Sequence, residues 1–382
     1  MQEQRRLLFV AGGTGGHITP SLAVANYLRK EYLSGVEIQF VTGNKEIEKT
    51  AFHSVGETPF TLSCERPPSL SLVGIARAFR LLASCVEAYK LIGEYKPHAL
   101  FATGGYVCFP VLTAARLRGI PYYLHESNSV PGKVTRLFSR SAQCVFLGTS
   151  ITGSQLNGAK TELCGTPIRA ELSGITRHAA LRHFGFERNA TGILILGGSQ
   201  GAAALNDVLR DLLASPTPIA AGKPLNIIWV AGPLHAASCR ALVESQKTPH
   251  TIQVVDYISN MGEAYAAVDL VISRAGAGTI AELLALRKPS ILIPYPHAAD
   301  NHQLHNANAL SNAGAAVVIE EKDLGFSLLQ QKLAELLSSP AKLDQMAEAC
   351  GHLCPKNVLP RIAERLMAPL PHSPAQQVVA ES

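Results

Sequence analysis

Phe9-Val10-Ala11-Gly12-Gly13-Thr14-Gly15-Gly16-His17-Ile18-Thr19-Pro20 is the stretch on which the fold turns. An apolar, strand-like run breaks into glycines and then enters a helical pattern. That layout leaves backbone N–H groups bare at a helix N-terminus, where the dipole favours an anion. Leu194-Ile195-Leu196-Gly197-Gly198-Ser199-Gln200-Gly201-Ala202 echoes it in the second half. One glycine turn merely ends a strand. Two, each opening its own series of strands and helices, imply related half-molecules facing one phosphate-bearing ligand.

Around the first loop, strand-like runs recur at 7–11, 36–41, 99–103, 122–125 and 142–147, with helical stretches between them. Around the second they recur at 192–196, 226–231, 252–255, 270–273, 290–294 and 316–319. This alternation marks an α/β protein with parallel sheets and crossover helices. At 382 residues the chain exceeds one ordinary core, so two domains are expected. The Gly/Pro segment Gly165-Thr166-Pro167 sets the break, giving 1–166 and 167–355. After about Lys322 the pattern turns helical, and 369–382 reads as a polar, disordered tail.

Composition narrows the classes. With 47% hydrophobic and 16% charged residues, extensive disorder is excluded. The net charge of +5 is scattered, without a basic run, which disfavours nucleic acid and suits an anionic substrate or a membrane surface. The eight cysteines form no C-x-x-C pair and read as reduced core thiols of a cytoplasmic protein. The apolar run after Arg5 and Arg6 is too short for a signal peptide, and no run suffices to span a bilayer. The expected place is the cytosol, at most peripheral to a membrane. A long helix at 70–92 mixes Leu72, Val73, Ile75, Phe79, Leu82, Val86 and Leu91 with Arg77 and Arg80. It either touches an anionic bilayer or packs on its own sheet, and both hold if its parts differ.

Known phosphate loops can be tested against these glycines. G-x-x-x-x-G-K-[ST] is absent, which disfavours P-loop chemistry. A dinucleotide fingerprint fails at Ile18, where the third glycine belongs, and the next strand ends Val41-Thr42-Gly43 without the acidic residue for a ribose. No Asp-x-Asp pair is present, and His297, Asp300, His302 and His305 read as exposed residues rather than a metal site. No metal and no cofactor are expected. A diphosphate then relies on helix N-termini and on cations such as Arg169.

Ser273-Arg274-Ala275-Gly276-Ala277-Gly278-Thr279-Ile280-Ala281-Glu282 is the sharpest constellation of the second half. It reads as a strand end, a small-residue turn open to a ligand, and a helix whose first turn carries Glu282. That carboxylate either accepts from both hydroxyls of a ribose or only complements the helix dipole. The next loop, through His297, Asn301, His302 and Gln303, adds amides and imidazoles on the same sheet edge.

Together these segments resemble the MurG family, the glycosyltransferases that add N-acetylglucosamine to lipid I to make lipid II of peptidoglycan. The resemblance rests on Gly-Gly-Thr-Gly-Gly-His at 12–17, Gly104-Gly105-Tyr106, His125-Glu126-Ser127-Asn128, Gly165-Thr166-Pro167-Ile168-Arg169, the glycines at 197–201, Arg274-Ala275-Gly276-Ala277 and His302-Gln303. It implies a GT-B fold of two Rossmann-like domains facing a cleft. A final helix at about 356–368 returns to the first domain. The donor is then UDP-GlcNAc, transferred with inversion and without metal to the C4 hydroxyl of the lipid I sugar. The expected site is the cytoplasmic side of the inner membrane, near other cell-wall synthesis proteins.

By that resemblance Thr14, Gly15 and Gly16 match donor-site positions in a loop that also serves the acceptor diphosphate. Asn128 matches a contact to the GlcNAc, Arg169 and Ser199 match donor contacts, and Ile258 matches a backbone contact to uracil. Ala277, Gly278 and Thr279 match the amide-rich turn, Glu282 the ribose carboxylate and Gln303 the glutamine on the sugar hydroxyls. His302 stands where some relatives carry a second glutamine, and Ser127 where glutamine is common. His17 is the candidate base, because it ends the first loop facing the cleft and a helix N-terminus favours its neutral form. Its other reading is a phosphate contact or a cap, and Glu126 is the rival base. The alternatives for the whole chain are a GT-B enzyme with another acceptor, such as diacylglycerol or a natural product, a UDP-GlcNAc epimerase, and a nucleotide-binding scaffold.

Overall fold

Leu7, Phe9 and Ala11 face one side of the first strand and Leu8 and Val10 the other, and all five are fully buried. A strand without a polar face needs cover on both sides, which parallel sheets obtain from crossover helices. The computed structural model has that construction twice and describes residues 4–13, 15–64, 72–197, 202–215, 219 and 223–369. Thr14 and the loop at 198–201, with Ser199, lie outside the described residues, as does the expected tail from 370 onward.

The first half runs β1 (Arg5–Ala11), α1 (Gly15–Tyr32), β2 (Val36–Gly43), α2 (Glu46–His53), β3 (Phe60–Leu62) and α3 (Leu72–Tyr95). It continues β4 (Ala99–Gly104), α4 (Cys108–Leu117), β5 (Tyr122–Glu126), α5 (Lys133–Phe138), β6 (Cys144–Leu147), α6 (Ser150–Gly153) and β7 (Thr161–Leu163). Its seven strands lie in the order β3-β2-β1-β4-β5-β6-β7, all pairs parallel. In register, Phe9 sits between Phe40 and Phe101, with ring centroids 5.8 and 5.1 Å away, and Phe101 continues to Phe146 at 6.3 Å. This aromatic row meets the buried side of α1, whereas Leu8 and Val10 meet α3 and α4.

The second half runs α7 (Arg177–His183), β8 (Thr191–Leu196), α8 (Ala203–Ala214), β9 (Leu225–Val230), α9 (Ala236–Ser245), β10 (Thr251–Val255) and α10 (Met261–Ala267). Then come β11 (Leu270–Ser273), α11 (Ala277–Ala285), β12 (Ser290–Leu292), α12 (His302–Asn312), β13 (Ala316–Val318), α13 (Phe326–Leu337), α14 (Pro340–Leu353) and α15 (Val358–Met367). Its six strands repeat the pattern as β10-β9-β8-β11-β12-β13, again parallel throughout. Ile193, Ile195, Ile227 and Trp229 fill one side and Leu194, Ile228 and Val271 the other. The Trp229 indole N–H donates to Asn206 Oδ1 at 2.9 Å, so the one polar group of that ring is satisfied.

Two strands escaped the sequence. β3 and β7 are three-residue edge strands with mostly exposed or half-exposed side chains, so no apolar run announces them. Helix α3 divides by face. Ser84, Ala88 and Ile92 are buried toward the sheet, while Phe79, Leu82, Val86 and Tyr89 are 70, 62, 50 and 41% exposed. Among the described residues no helix is long and apolar enough to cross a membrane.

Helix α15 follows the second half in sequence but packs on the first. Ile362 and Leu366 are fully buried in the cluster that holds Leu7, Phe9 and Phe40. Arg361 Nε and Arg365 Nε donate to the two oxygens of Glu162 at 3.0 and 3.1 Å. The chain thus crosses between the halves twice. Truncating a fully buried leucine costs about 2–5 kcal/mol. Leu366→Ala is therefore expected to lower the unfolding free energy of the first half by that amount, read as a lower urea midpoint at unchanged m-value; an unchanged midpoint contradicts the docking of α15.

Candidate active site

In each sheet the chain order reverses once, between β1 and β4 and between β8 and β11. At such a switch point the loops leave the strand ends in opposite directions and open a crevice. Of the described residues, 12, 13, 15, 16 and 104–106 flank the first crevice, and 197, 202 and 274–277 flank the second. These are the glycine motifs of the sequence.

His17 sits in the first turn of α1. Its Nδ1 lies 2.9 Å from the Thr103 carbonyl oxygen, which can only accept, so Nδ1 carries the proton and Nε2 keeps its lone pair. The Thr103 hydroxyl donates to the His17 carbonyl at 2.7 Å, fixing the residue from both ends. Gly104, at φ +114°, lets the ring lie against its backbone; a Cβ there would stand 2.7 Å from the ring. Burial holds the imidazole below the ordinary histidine value of 6.5, against the opposing pull of Glu126 and the Thr103 carbonyl, and the His302 ring adds to the lowering.

The first loop is not wholly a bare anion cradle. The Gly13 N–H donates to Glu48, a fully buried carboxylate that also accepts from the Tyr106 hydroxyl at 2.8 Å and the Lys45 N–H at 3.4 Å. A side chain at Gly43 would fall on these groups, 2.0 Å from the Tyr106 oxygen, which explains the glycine at the end of β2. Among the described residues of the loop, Gly15 and Gly16 are the exposed ones.

At the end of β5, Glu126 has both oxygens committed. Oε1 accepts from the backbone and side-chain N–H groups of Asn128, each at 3.2 Å. Oε2 accepts from Gly132 N–H at 2.9 Å and the Thr135 hydroxyl at 2.7 Å. His125 Nε2–H donates to the Gly165 carbonyl at 3.0 Å, and the Ser127 hydroxyl lies 3.2 Å from its Nδ1. It anchors the strand to the interdomain crossing.

In the second half, α11 begins at Ala277 behind Gly276, with no side chain capping its first turn. Its bare N–H groups, of Ala277, Gly278 and Thr279, are what an anion requires. Glu282 stands in the second turn rather than the first. Its Oε2 accepts from the Tyr265 hydroxyl at 2.8 Å. Burial raises this carboxyl above its usual range, against the Tyr265 hydrogen bond and the nearby positive charge of Arg169. Arg169 Nε is buried with no hydrogen-bond partner among the described residues. Gln303 Oε1 accepts from the N–H groups of Ala275 and Tyr295 at 3.2 and 3.0 Å, which leaves its amide N–H₂ to donate. His302 is held by Nδ1 to the Ala299 carbonyl at 2.8 Å. Ile258 is buried, its side chain packed in the core of the second half. Arg274 works inward, on the carbonyls of Ile293 and Pro294 and on Glu321. Among the described residues no group of three or more His, Cys, Asp or Glu side chains could hold a metal ion.

Two family models match in tandem: the glycosyltransferase family 28 N-terminal domain over residues 7–147 and its C-terminal domain over 192–366. The chain belongs to glycosyltransferase family 28. It is 37% identical over 365 residues to the UDP-N-acetylglucosamine–N-acetylmuramyl-(pentapeptide) pyrophosphoryl-undecaprenol N-acetylglucosamine transferase of Gloeothece citriformis, covering 94% of each chain. To the transferase of the same name from Chlorobaculum parvum it is 38% identical over 352 residues, covering 90% of this chain and 93% of that one. The MurG crystal structure from Acinetobacter baumannii superposes with a TM-score of 0.74 at 27% identity, covering 95% of this chain and 99% of that one. The fold is GT-B. A UDP-GlcNAc 2-epimerase from Neisseria meningitidis, bound to UDP-GlcNAc, superposes at 0.63 with 15% identity over 95% of this chain and 99% of that one, a likeness of fold alone.

Within this family fold, His17, Glu126, Asn128, Ala277, Glu282 and Gln303 all stand at or just beyond the carboxyl ends of the two sheets. Thr14 and Ser199 fall outside the described residues. Glu48, Thr103, Tyr265 and Asn306 were not singled out from the sequence, although each binds a residue that was or its neighbour. A cavity of about 870 Å³ opens beside the site between the halves, lined among others by Ser127, Thr149, Thr166, Ile280, Asn306 and Leu359.

Burial also lowers the His125 pKa from 6.5, against the Gly165 hydrogen bond. With the folded pKa below the unfolded one, the unfolded chain takes up the proton first. Stability is then constant above about pH 6.5 and falls as the pH drops through the interval between the two values. Thermal unfolding at pH 5.5 should lie below that at pH 7.5, and His125→Gln should flatten the difference. An equal slope in the variant contradicts the buried neutral imidazole.

Proposed function

We propose that this chain is an inverting transferase that moves GlcNAc from UDP-GlcNAc to the C4 hydroxyl of the MurNAc of lipid I, at the cytoplasmic face of the membrane. The observation that carries this reading is the pairing of an uncapped helix N-terminus at one switch point with an imidazole at the other whose Nε2 has no hydrogen-bond partner among the described residues. An acceptor hydroxyl attacks the anomeric carbon as the bond to UDP breaks, and the electron pair leaves on the diphosphate. The N–H groups of Ala277, Gly278 and Thr279, with Arg169 and Ser199, stabilise that charge, the larger share of the acceleration. His17 Nε2 takes the hydroxyl proton, a contribution of about 10²–10⁴-fold.

The remaining residues bind and orient. Glu282, its free oxygen beside the one held by Tyr265, receives the ribose hydroxyls, and the Ile258 backbone meets the uracil. Gln303 and Asn128 meet the sugar hydroxyls. The hydrogen bonds on Glu126 give it the task of shaping the loop that carries Asn128 rather than that of a base. The turn through Thr14, Gly15 and Gly16 serves the acceptor diphosphate.

The open face of α3 suits a bilayer. Phe79, Leu82, Val86 and Tyr89 share it with exposed Arg80 and Lys90, and the Arg118 guanidinium lies 3.7 Å over the Tyr89 ring. Apolar anchors ringed by cations bind anionic lipid through burial and surface potential together.

Labelled GlcNAc should pass from UDP-GlcNAc to a lipid I analogue, with EDTA present, and not to diacylglycerol. Release of ManNAc or its UDP form without acceptor would instead support an epimerase. Leu82→Asp should lose binding to anionic vesicles while transfer to a detergent-soluble acceptor persists; undiminished vesicle binding removes α3 from the membrane contact.

A further inference from the structure

Asn306, on α12, is 5% exposed and reaches across the interdomain boundary. Its Oδ1 accepts from the Ser129 backbone N–H at 3.1 Å and from the Ser129 hydroxyl at 2.6 Å, both in the first half. Its Nδ2 donates to the Ala275 carbonyl at 3.2 Å, in the second half. The amide orientation follows from its partners, because a backbone N–H only donates and a carbonyl only accepts. A single uncharged side chain therefore satisfies a donor pair on one domain and an acceptor on the other.

Both ends of this bridge are fixed. The Ala275 peptide is held on its other side as well, its N–H donating to Gln303 Oε1 at 3.2 Å from one turn earlier on the same helix. Ala275 immediately precedes Gly276, which occupies the N-cap position of α11. On the first half, Gln155 Nε2 donates to the Ser129 carbonyl at 2.9 Å and the Thr152 hydroxyl to the Asn128 carbonyl at 2.6 Å. Each loop is thereby tied within its own half. Separation of the halves breaks the Ser129 contacts and leaves the Ala275 contact intact, since Asn306 and Ala275 belong to one half.

We propose that Asn306 is a positioning residue that latches the two halves in register, setting the Asn128 loop against the helix N-terminus at Ala277 while Ser129 is engaged. The proposal rests on the transferase reading above. It predicts an effect on turnover rather than on UDP affinity, because the residues given to the uracil, ribose and diphosphate lie in the second half and do not require Ser129. A misplacement on the order of 1 Å between reacting groups costs about 10²-fold.

The test compares Asn306→Ala, Ser129→Ala, Ser129→Thr and the double alanine variant. Expected are a fall in kcat of about 10–100-fold for Asn306→Ala, a smaller fall for Ser129→Ala and recovery in Ser129→Thr. UDP affinity by calorimetry stays within about threefold of wild type, as for any change outside the donor contacts. The double variant should be no worse than Asn306→Ala, as for two partners of one contact. Small-angle scattering reads the latch without an acceptor: the radius of gyration should rise in both alanine variants and return in Ser129→Thr. Unchanged kcat and radius in Ser129→Ala, or a parallel loss of UDP affinity and kcat, overturns the proposal. Should wild type transfer no sugar to lipid I, the transferase reading fails, and the scattering arm still decides the latch.

Discussion

Everything in this molecule follows from two sheets whose strands are all parallel and whose order reverses once each. Strands buried on both faces surrender both faces to helices. Their edges are taken by short strands, and only the loops at the carboxyl ends stay free for chemistry. The reversals at β1/β4 and β8/β11 decide which loops those are. At β1/β4 the glycines allow close approach: a Cβ at Gly105 would stand 2.2 Å from the Gly12 carbonyl oxygen and one at Gly12 2.7 Å from Val107.

The two crevices are built differently. The second presents an uncapped helix start, with donors held in place before any ligand arrives. The first is partly spent on its own architecture: Glu48 holds the Gly13 N–H, and the Thr103 carbonyl and Gly104 backbone hold the His17 ring. Removing one partner from such a buried carboxylate leaves a group unsatisfied at a cost of about 1–3 kcal/mol or more. The first crevice thus carries an imidazole held by its neighbours and the second an uncapped helix start; under the proposed function the one takes the proton and the other the charge. That division matches a reaction in which a proton leaves one substrate and charge builds on the other.

The α/β class, the two half-molecules and the glycine loops were legible because apolar runs and glycine breaks are local signals. The edge strands β3 and β7 were not, since three half-exposed residues carry no period. Site residues with a motif around them, such as His17, Glu282 and Gln303, could be named from the chain. Glu48, Tyr265 and Asn306 could not. Their roles lie in partners 35, 17 and 177 residues away, a separation that only the folded sheets close. Glu126 shows the converse: from the chain it is the rival to His17 as base, and its four hydrogen bonds become visible only in three dimensions.

Under the proposed function, His17 Nε2 faces the acceptor while the opposite half holds the donor. Single-turnover transfer from UDP-GlcNAc to a lipid I analogue by wild type and His17→Ala, with UDP affinity measured on the same samples, tests it most directly. The account predicts a chemical step slower by about 10²–10⁴-fold with UDP affinity unchanged. A transfer rate equal to wild type, or a loss explained wholly by weaker UDP binding, contradicts it.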